Sequence, residues 1–169
     1  AGANLANMIQ VIDANKFDKI NNDLKQFQGL MQRIRFSKAP VVAAPHHLAL
    51  GGGFEISAPA VHRVALGELY MGAVEIGVGL VPGAGGNLRI ILNLMENSGS
   101  GRLNAFQVSQ KAFETIAFAK VSRSADEAKS LGYLLKTDTV ILNNDQRIKA
   151  AQDKALSLIE EGYKPPTYR

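Results

Sequence analysis

The stretch LALGGGFE at residues 48–55 decides the fold, because it joins a short apolar run to three consecutive glycines and a carboxylate. Ten of the 16 glycines of the chain fall within residues 51–86. The same window holds few charges, and three of them are the carboxylates of Glu55, Glu68 and Glu75. Because glycine costs conformational entropy, such a cluster indicates backbone that is held close to a neighbour.

The overall composition excludes several classes of protein. The chain has 169 residues, a formal net charge of +4, 46% hydrophobic residues and no cysteine. It is long enough to bury a core, and it has neither a disulfide framework nor a thiolate metal site. The most apolar stretch, residues 39–50, contains two histidines and is too short to span a bilayer. No signal peptide is recognised at the start, so we expect no membrane partner and a cytoplasmic location.

Hydrophobic spacing predicts helices that alternate with short strands. The clearest helix covers residues 17–34, where apolar residues recur every three or four positions. Further predicted elements are strands at 41–44, 61–66 and 140–142, a strand end at 70–71, helices at 54–60, 87–94, 103–118, 124–132 and 144–162, and a loop at 96–101. At residues 124–127 a capping box is predicted, and the strand at 61–66 is expected to alternate between two faces. This order of elements indicates an α/β fold with no internal repeat.

Several familiar motifs are absent. The glycines fit neither a dinucleotide fingerprint nor a phosphate-binding Walker loop, and no esterase elbow is present. His46 and His47 are adjacent, so on a strand their side chains would point to opposite faces, and we interpret them as strand-end residues. We therefore predict no metal site.

The motifs that remain combine glycine-rich turns with two carboxylates, Glu55 and Glu75. A helix that begins within residues 51–53 presents unpaired N–H groups, which can stabilise an oxygen that gains negative charge. Two carboxylates in a dry site can divide acid and base roles between them. A structural alternative is that Glu55 caps a helix and Glu75 lies on the surface. Residue chemistry alone leaves both interpretations open.

Four segments together resemble the crotonase, or enoyl-CoA hydratase/isomerase, superfamily. They are AGAN at residues 1–4, KAPVVAA at 38–44, LALGGGFE at 48–55 and EIGVGLVPGAGG at 75–86. AFETIAFAKVS at 112–122 and GYKPP at 162–166 are similar to the hydratase region of bacterial 3-hydroxyacyl-CoA dehydrogenase/enoyl-CoA hydratase fusion proteins. The resemblance implies a crotonase-type ββα spiral core. It also implies that residues 1–169 are the central part of one domain, without its early strands and its last helices.

The resemblance also implies roles for individual residues. Glu55 would activate the water that attacks C3 of a trans-2-enoyl-CoA, and Glu75 would deliver the proton to C2. The backbone N–H groups of Ala3 and Gly52 would form the oxyanion hole. The remaining implied substrate-binding residues are Ala1, Asn4, Leu5, Gly51, Val74 and Gly83. Asn4, His47 and Val61 depart from the residues common in the family, but these changes remove neither an acid nor an oxyanion donor.

The implied activity is reversible hydration in fatty-acid β-oxidation, with an acyl-CoA substrate. No metal or redox cofactor is expected for this region: CoA enters with the substrate, and NAD would serve only a fused dehydrogenase domain. A trimer-type homo-oligomer is expected from the family. The alternatives are a Δ3-Δ2 enoyl-CoA isomerase or another crotonase reaction, and an inactive fragment of a fusion protein. Nucleic acid is not an expected partner, because the basic residues are dispersed.

Overall fold

The computed structural model describes residues 4–99 and 104–167. Helices and short strands alternate along these residues. The helices are α1 (Leu5–Asp13), α2 (Phe17–Arg35), α3 (Gly52–Ser57), α4 (Gly86–Ser98), α5 (Ala105–Ala117), α6 (Ala125–Leu131) and α7 (Arg147–Glu160). The strands are β1 (Val42–Ala43), β2 (His47–Leu50), β3 (His62–Leu66), β4 (Leu69–Gly72) and β5 (Thr139–Ile141), and 3₁₀ helices cover Glu75–Val78 and Asn144–Gln146.

The strands form two parallel sheets, one in the order β1-β3-β5 and the other pairing β2 with β4. In the second sheet Leu50 is opposite Gly72, so both strands end at the same level. The N–H of Gly51 donates to the carbonyl of Gly72 over 2.8 Å and closes this end of the ladder. Because β2 leads into α3 and β4 leads into the segment with Glu75, the two glutamates emerge from one sheet edge.

The core lies between these sheets and helices α3 to α6. Its fully buried side chains include Phe54 of α3, Met71 of β4 and Ile90 of α4. Tyr133 packs edge-to-face on Phe54, with ring centroids 4.9 Å apart. The α/β class predicted from the sequence is confirmed. Within the described residues no helix is both long and apolar enough to cross a bilayer.

Most of the predicted elements are present, and three details differ. Helix α4 continues to Ser98, so residues 96–98, which we predicted to be loop, complete its last turn. Strand β3 is buried on both faces rather than on one, since it lies between β1 and β5 and under helices. Ser124 caps α6 as expected, but the Glu127 carboxylate accepts from the N–H of Arg123 instead of completing the capping box.

The two adjacent histidines do not point to opposite faces. Their rings meet edge-to-face with centroids 5.1 Å apart. The cause is the backbone of His47, whose φ of +47° interrupts strand geometry at the first residue of β2. Both side chains are exposed.

Helix α1 was not predicted, although Asn4 caps it by accepting from the N–H of Asn7 over 3.2 Å.

Candidate active site

Glu55 is a buried carboxyl group that backbone N–H groups hold in place. It lies in the first turns of α3, and 5% of its surface is exposed. Its Oε1 atom accepts two backbone hydrogen bonds, from the N–H of Ala84 at 2.8 Å and from the N–H of Gly86 at 2.9 Å. Gly86 is the first residue of α4, so the carboxylate also faces the positive end of a 13-residue helix. These interactions compensate the cost of burying a negative charge.

Glu75 occupies the opposite kind of environment. It begins the 3₁₀ helix that follows β4, and its side chain is half-buried. Its Oε2 atom is buried and has no hydrogen-bond partner among the described residues. Burial raises the pKa of the Glu75 carboxyl, and the nearby negative charge of Glu55 raises it further. Glu75 therefore keeps its proton to a higher pH than a free glutamate would, while Oε1 of Glu55 accepts two backbone hydrogen bonds.

A cavity of about 290 Å³ opens beside Glu75. Apart from Glu75 and the two glycines, the side chains around it are apolar. Its lining residues are Leu5, Met8, Leu48, Leu50, Gly51, Gly52, Val74, Glu75, Val78 and Leu80. The cavity thus offers an apolar surface with a single carboxyl group on its wall.

One glycine of this wall, Gly51, is required by geometry. Gly51 has a φ of +53°, which disfavours any residue with a side chain, and a Cβ there would lie 3.0 Å from Oε1 of Glu75. Gly52 is the first residue of α3, so its N–H has no acceptor within the helix. The turn therefore brings bare backbone to the cavity wall, and the N–H of Gly52 has no acceptor within its helix.

Five of the residues singled out in the sequence meet at this cavity: Leu5, Gly51, Gly52, Val74 and Glu75. Glu55 is not on the cavity wall, because its carboxylate turns toward the start of α4.

Four other predicted residues lie elsewhere or outside the structure. Asn4 caps α1. The carbonyl of Gly83 accepts from Nε2 of Gln28 over 2.7 Å, which ties the loop before α4 to α2 instead of to the cavity. Ala1 and Ala3 fall outside the described residues.

Two residues of the site region, Met8 and Tyr133, were not predicted from the sequence. Met8 reaches the cavity from α1, and the apolar spacing of Leu5, Met8 and Ile12 is the signal that predicts this helix. Tyr133 is buried, and its hydroxyl donates to the carbonyl of Lys120 at 2.6 Å and accepts from the N–H of Ala73 at 3.2 Å. No local sequence pattern predicts this hydroxyl bridge, because Tyr133 is 60 residues from Ala73 in the chain.

The described residues contain no cluster of metal-ligating side chains. Within residues 4–99 and 104–167 no group of three His, Cys, Asp or Glu side chains lies close enough to hold an ion.

Known proteins with similar sequences or structures share this architecture. A family model described as enoyl-CoA hydratase/isomerase matches residues 1–105. A Bacillus subtilis protein named "Probable 3-hydroxyacyl-CoA dehydrogenase" is 42% identical over 165 residues, which are 98% of this chain and 20% of that protein. The short-chain-enoyl-CoA hydratase of Clostridium acetobutylicum is 27% identical over 147 residues, 85% of this chain and 53% of that enzyme.

Solved structures agree on the fold. An enoyl-CoA hydratase from a Polaromonas species superposes with a TM-score of 0.69 and 22% identity, covering 94% of this chain and 54% of that one. The chain spans a fifth of the length of the Bacillus relative and about half that of the two hydratases. With the family match extending over most of the sequence, the chain belongs to the enoyl-CoA hydratase/isomerase, or crotonase, superfamily and has a crotonase-like α/β core.

Proposed function

We propose that this chain catalyses the reversible hydration of a trans-2-enoyl-CoA to a 3-hydroxyacyl-CoA. The observation that carries the proposal is the contrast between its two carboxyl groups. Oε1 of Glu55 accepts from two backbone N–H donors, whereas burial and the charge of Glu55 raise the pKa of the Glu75 carboxyl. Two carboxyl groups in such different surroundings are suited to paired base and acid steps.

Glu55 is the proposed base. Both of its backbone donors approach Oε1, so Oε2 accepts no hydrogen bond from the described residues. In the proposed reaction a Glu55 oxygen takes a proton from water while the water oxygen forms a bond to C3 of the enoyl group. The electrons of the C2–C3 double bond move toward the thioester and produce an enolate.

Glu75 is the proposed acid. It gives its proton to C2 of the enolate, the thioester carbonyl is restored, and the elements of water have been added across the double bond. Return of the proton from Glu55 to Glu75 restores both groups. The N–H of Gly52, assisted by that of Ala3 as the family resemblance implies, would hold the thioester oxygen while it carries negative charge.

The surroundings suit the acyl part of such a substrate. Apolar side chains line most of the 290 Å³ cavity, and Glu75 and Gly52 lie on the same wall. The likeness to a protein named as a 3-hydroxyacyl-CoA dehydrogenase supports a place in β-oxidation, because a 3-hydroxyacyl-CoA is the product of hydration. On this proposal CoA enters as part of the substrate, and NAD serves a dehydrogenase region where one is joined to this chain.

The family description also includes isomerases, so a double-bond shift is the second candidate. An isomerase moves a proton between C2 and C4 and adds no water. The two reactions are distinguished by their products from 2-enoyl-CoA and 3-enoyl-CoA thioesters.

The decisive experiment measures hydration of a short trans-2-enoyl-CoA by the full chain and by two variants, Glu55→Gln and Glu75→Gln. Each loss of a general acid or base is expected to lower kcat by about 10² to 10⁴ fold. Glu68→Gln is the matched control, because Glu68 is an exposed carboxylate on the turn between β3 and β4. If either active-site variant hydrates as well as the control, the two-carboxylate mechanism is wrong.

A further inference from the structure

A second cavity, of about 230 Å³, carries an unusual concentration of positive charge. It lies between the last turn of α2, the loop from α3 to β3, and one face of α4, and it shares no lining residue with the cavity beside Glu75. Three arginines line it: Arg35 from α2, Arg63 from β3 and Arg89 from α4. Three separate elements thus bring guanidinium groups to one space.

Arg63 is fixed in place by its own contacts. It is 2% exposed, its Nε donates to Oδ2 of Asp138 at 2.7 Å, and its Nη1 donates to the carbonyls of Ala58 and Ala60, each at 3.1 Å. Its Nη2 lies 2.7 Å from Asp138 Oδ2 as an ion pair but is aligned with no hydrogen-bond acceptor among the described residues. Nη2 thus keeps its ion pair with Asp138 but has N–H groups that no described acceptor satisfies, and an anion in the cavity would accept from them.

The other two arginines have no acidic partner among the described residues. Arg35 and Arg89 are half-buried, and neither lies within 4.0 Å of a carboxylate oxygen of residues 4–99 and 104–167. Burial and the positive charges of Arg35 and Arg63 lower the pKa of Arg89. Glu96 also borders the cavity, but it is exposed and forms no ion pair with these arginines. The three arginines carry more charge than the Asp138 carboxylate that pairs with Arg63, so the net charge around the cavity is positive.

We propose that this cavity binds a phosphate group, as inorganic phosphate or as the phosphate end of a small phosphorylated molecule. Guanidinium groups present planar forks of donors that match phosphate oxygens, and a phosphate offers more acceptors and more charge than one carboxylate. The volume is below the roughly 300–1,000 Å³ of pockets that enclose drug-sized ligands, so it suits a phosphate group better than a whole nucleotide. The proposal does not rest on the hydration activity.

The test is calorimetric titration of the full chain with inorganic phosphate at constant ionic strength, with chloride and acetate as reference anions. Phosphate is expected to bind saturably, and Arg35→Gln and Arg89→Gln are each expected to weaken binding about tenfold or more. Arg33→Gln is the matched control, because Arg33 lies in the same last turn of α2 but is exposed and does not line the cavity. It is expected to bind phosphate as the parent chain does.

Titration with a phosphate monoester such as glycerol phosphate distinguishes the two sources of the group. Binding at least as tight as that of inorganic phosphate identifies a phosphorylated molecule, and exclusion of the ester identifies the free ion. The variants should fold, because neither Arg35 nor Arg89 forms an ion pair with the part of the chain that the structure describes, and urea unfolding verifies this. The proposal is wrong if phosphate and acetate bind alike, or if Arg33→Gln weakens binding as much as Arg89→Gln.

Discussion

The Gly86 N–H donates to Oε1 of Glu55 over 2.9 Å, and a Cβ on Gly86 would lie only 3.0 Å from the same oxygen. The first residue of α4 thus provides both a hydrogen bond and the space that the carboxylate occupies. The ring of Phe54 closes the other side of this space, also 3.0 Å from the same Cβ position. Since Glu55 and Phe54 are both buried, neither can move aside easily.

Gly86→Ala is therefore expected to displace the Glu55 carboxylate. Overpacking of a filled site typically costs about 1–3 kcal/mol, which exceeds the gain of about 0.4–1 kcal/mol from replacing glycine in a helix. We expect a net loss of unfolding free energy, measured with urea. If Glu55 is the base, the hydration rate should fall about 10- to 100-fold, because small misplacements of reacting groups are costly.

Gly29→Ala provides the matched control. Gly29 lies in the interior of α2, and a Cβ there would meet nothing within 4 Å. The same substitution should therefore raise stability slightly and leave hydration unchanged. Equal behaviour of the two variants would show that position 86 tolerates a side chain and that the contact with Glu55 is not restrictive.

Glu75→Gln is expected to stabilise the fold at neutral pH. A raised folded-state pKa means that folding favours the protonated carboxyl, so ionised Glu75 disfavours the folded state. This penalty is absent below the unfolded pKa near 4.5 and grows as pH rises through the folded pKa. Because glutamine resembles the protonated acid, the variant should be more stable than the parent at about pH 7 and equally stable at about pH 4.

Urea unfolding at several pH values measures this difference, and Glu68→Gln serves as the reference because Glu68 is exposed. The stability difference for Glu68→Gln should be small at every pH. A Glu75→Gln variant that is less stable than the parent at neutral pH would contradict the inferred effect of burial on Glu75.

The position of the two glutamates on the fold was largely predictable. The glycine triplet predicted a helix start within residues 51–53, where α3 begins at Gly52, and Tyr70 and Met71 before Gly72 predicted a strand end before Glu75. Parallel pairing of β2 and β4 then aligns these two ends. The signals were local, because a glycine triplet directly precedes the segment of Glu55 and a predicted strand end precedes Glu75, whereas strand β2 itself was not predicted.

Contacts between distant segments were not predictable. The hydrogen bonds that hold Glu55 come from a loop about 30 residues later, and its carboxylate turns to α4 rather than to the cavity. The convergence of Arg35, Arg63 and Arg89 likewise depends on three elements that meet only in the folded chain. Hydrophobic spacing identifies the face of a helix that is buried, but it does not determine which element covers that face.

Tyr133→Phe is expected to loosen the segment that leads to Glu75. The Tyr133 hydroxyl bridges the carbonyl of Lys120 and the N–H of Ala73, and burial raises the pKa of Tyr133 to about 12, so the bridging group is a neutral hydroxyl. Its removal leaves buried backbone groups unpaired and should cost about 1–3 kcal/mol of unfolding free energy. Hydration should fall as well if Ala73 positions Glu75.

The control for this substitution is Tyr70→Phe. The hydroxyl of Tyr70 makes one long, exposed contact of 3.4 Å with Glu68, so its loss should change stability little. If both variants unfold at the same urea concentration, the bridge between Lys120 and Ala73 contributes nothing measurable.

Asp138→Asn is expected to be the most destabilising of these changes. Asp138 directly precedes β5, and it accepts from the backbone N–H of Arg63 at 2.9 Å, from Arg63 Nε at 2.7 Å and from the N–H of Leu135 at 2.7 Å. Both members of the Arg63–Asp138 pair are almost completely buried. Removing the negative charge leaves the Arg63 guanidinium uncompensated, which typically costs about 3–5 kcal/mol.

Urea unfolding of Asp138→Asn against Asp126→Asn measures this effect, since Asp126 is an exposed carboxylate on α6. The control should change the unfolding free energy by no more than about 0.5 kcal/mol. The predicted difference arises because Asp138 joins β3 to the start of β5 through both the backbone and the side chain of Arg63. A loss as small as that of the control would mean that strand pairing alone holds β5 on β3.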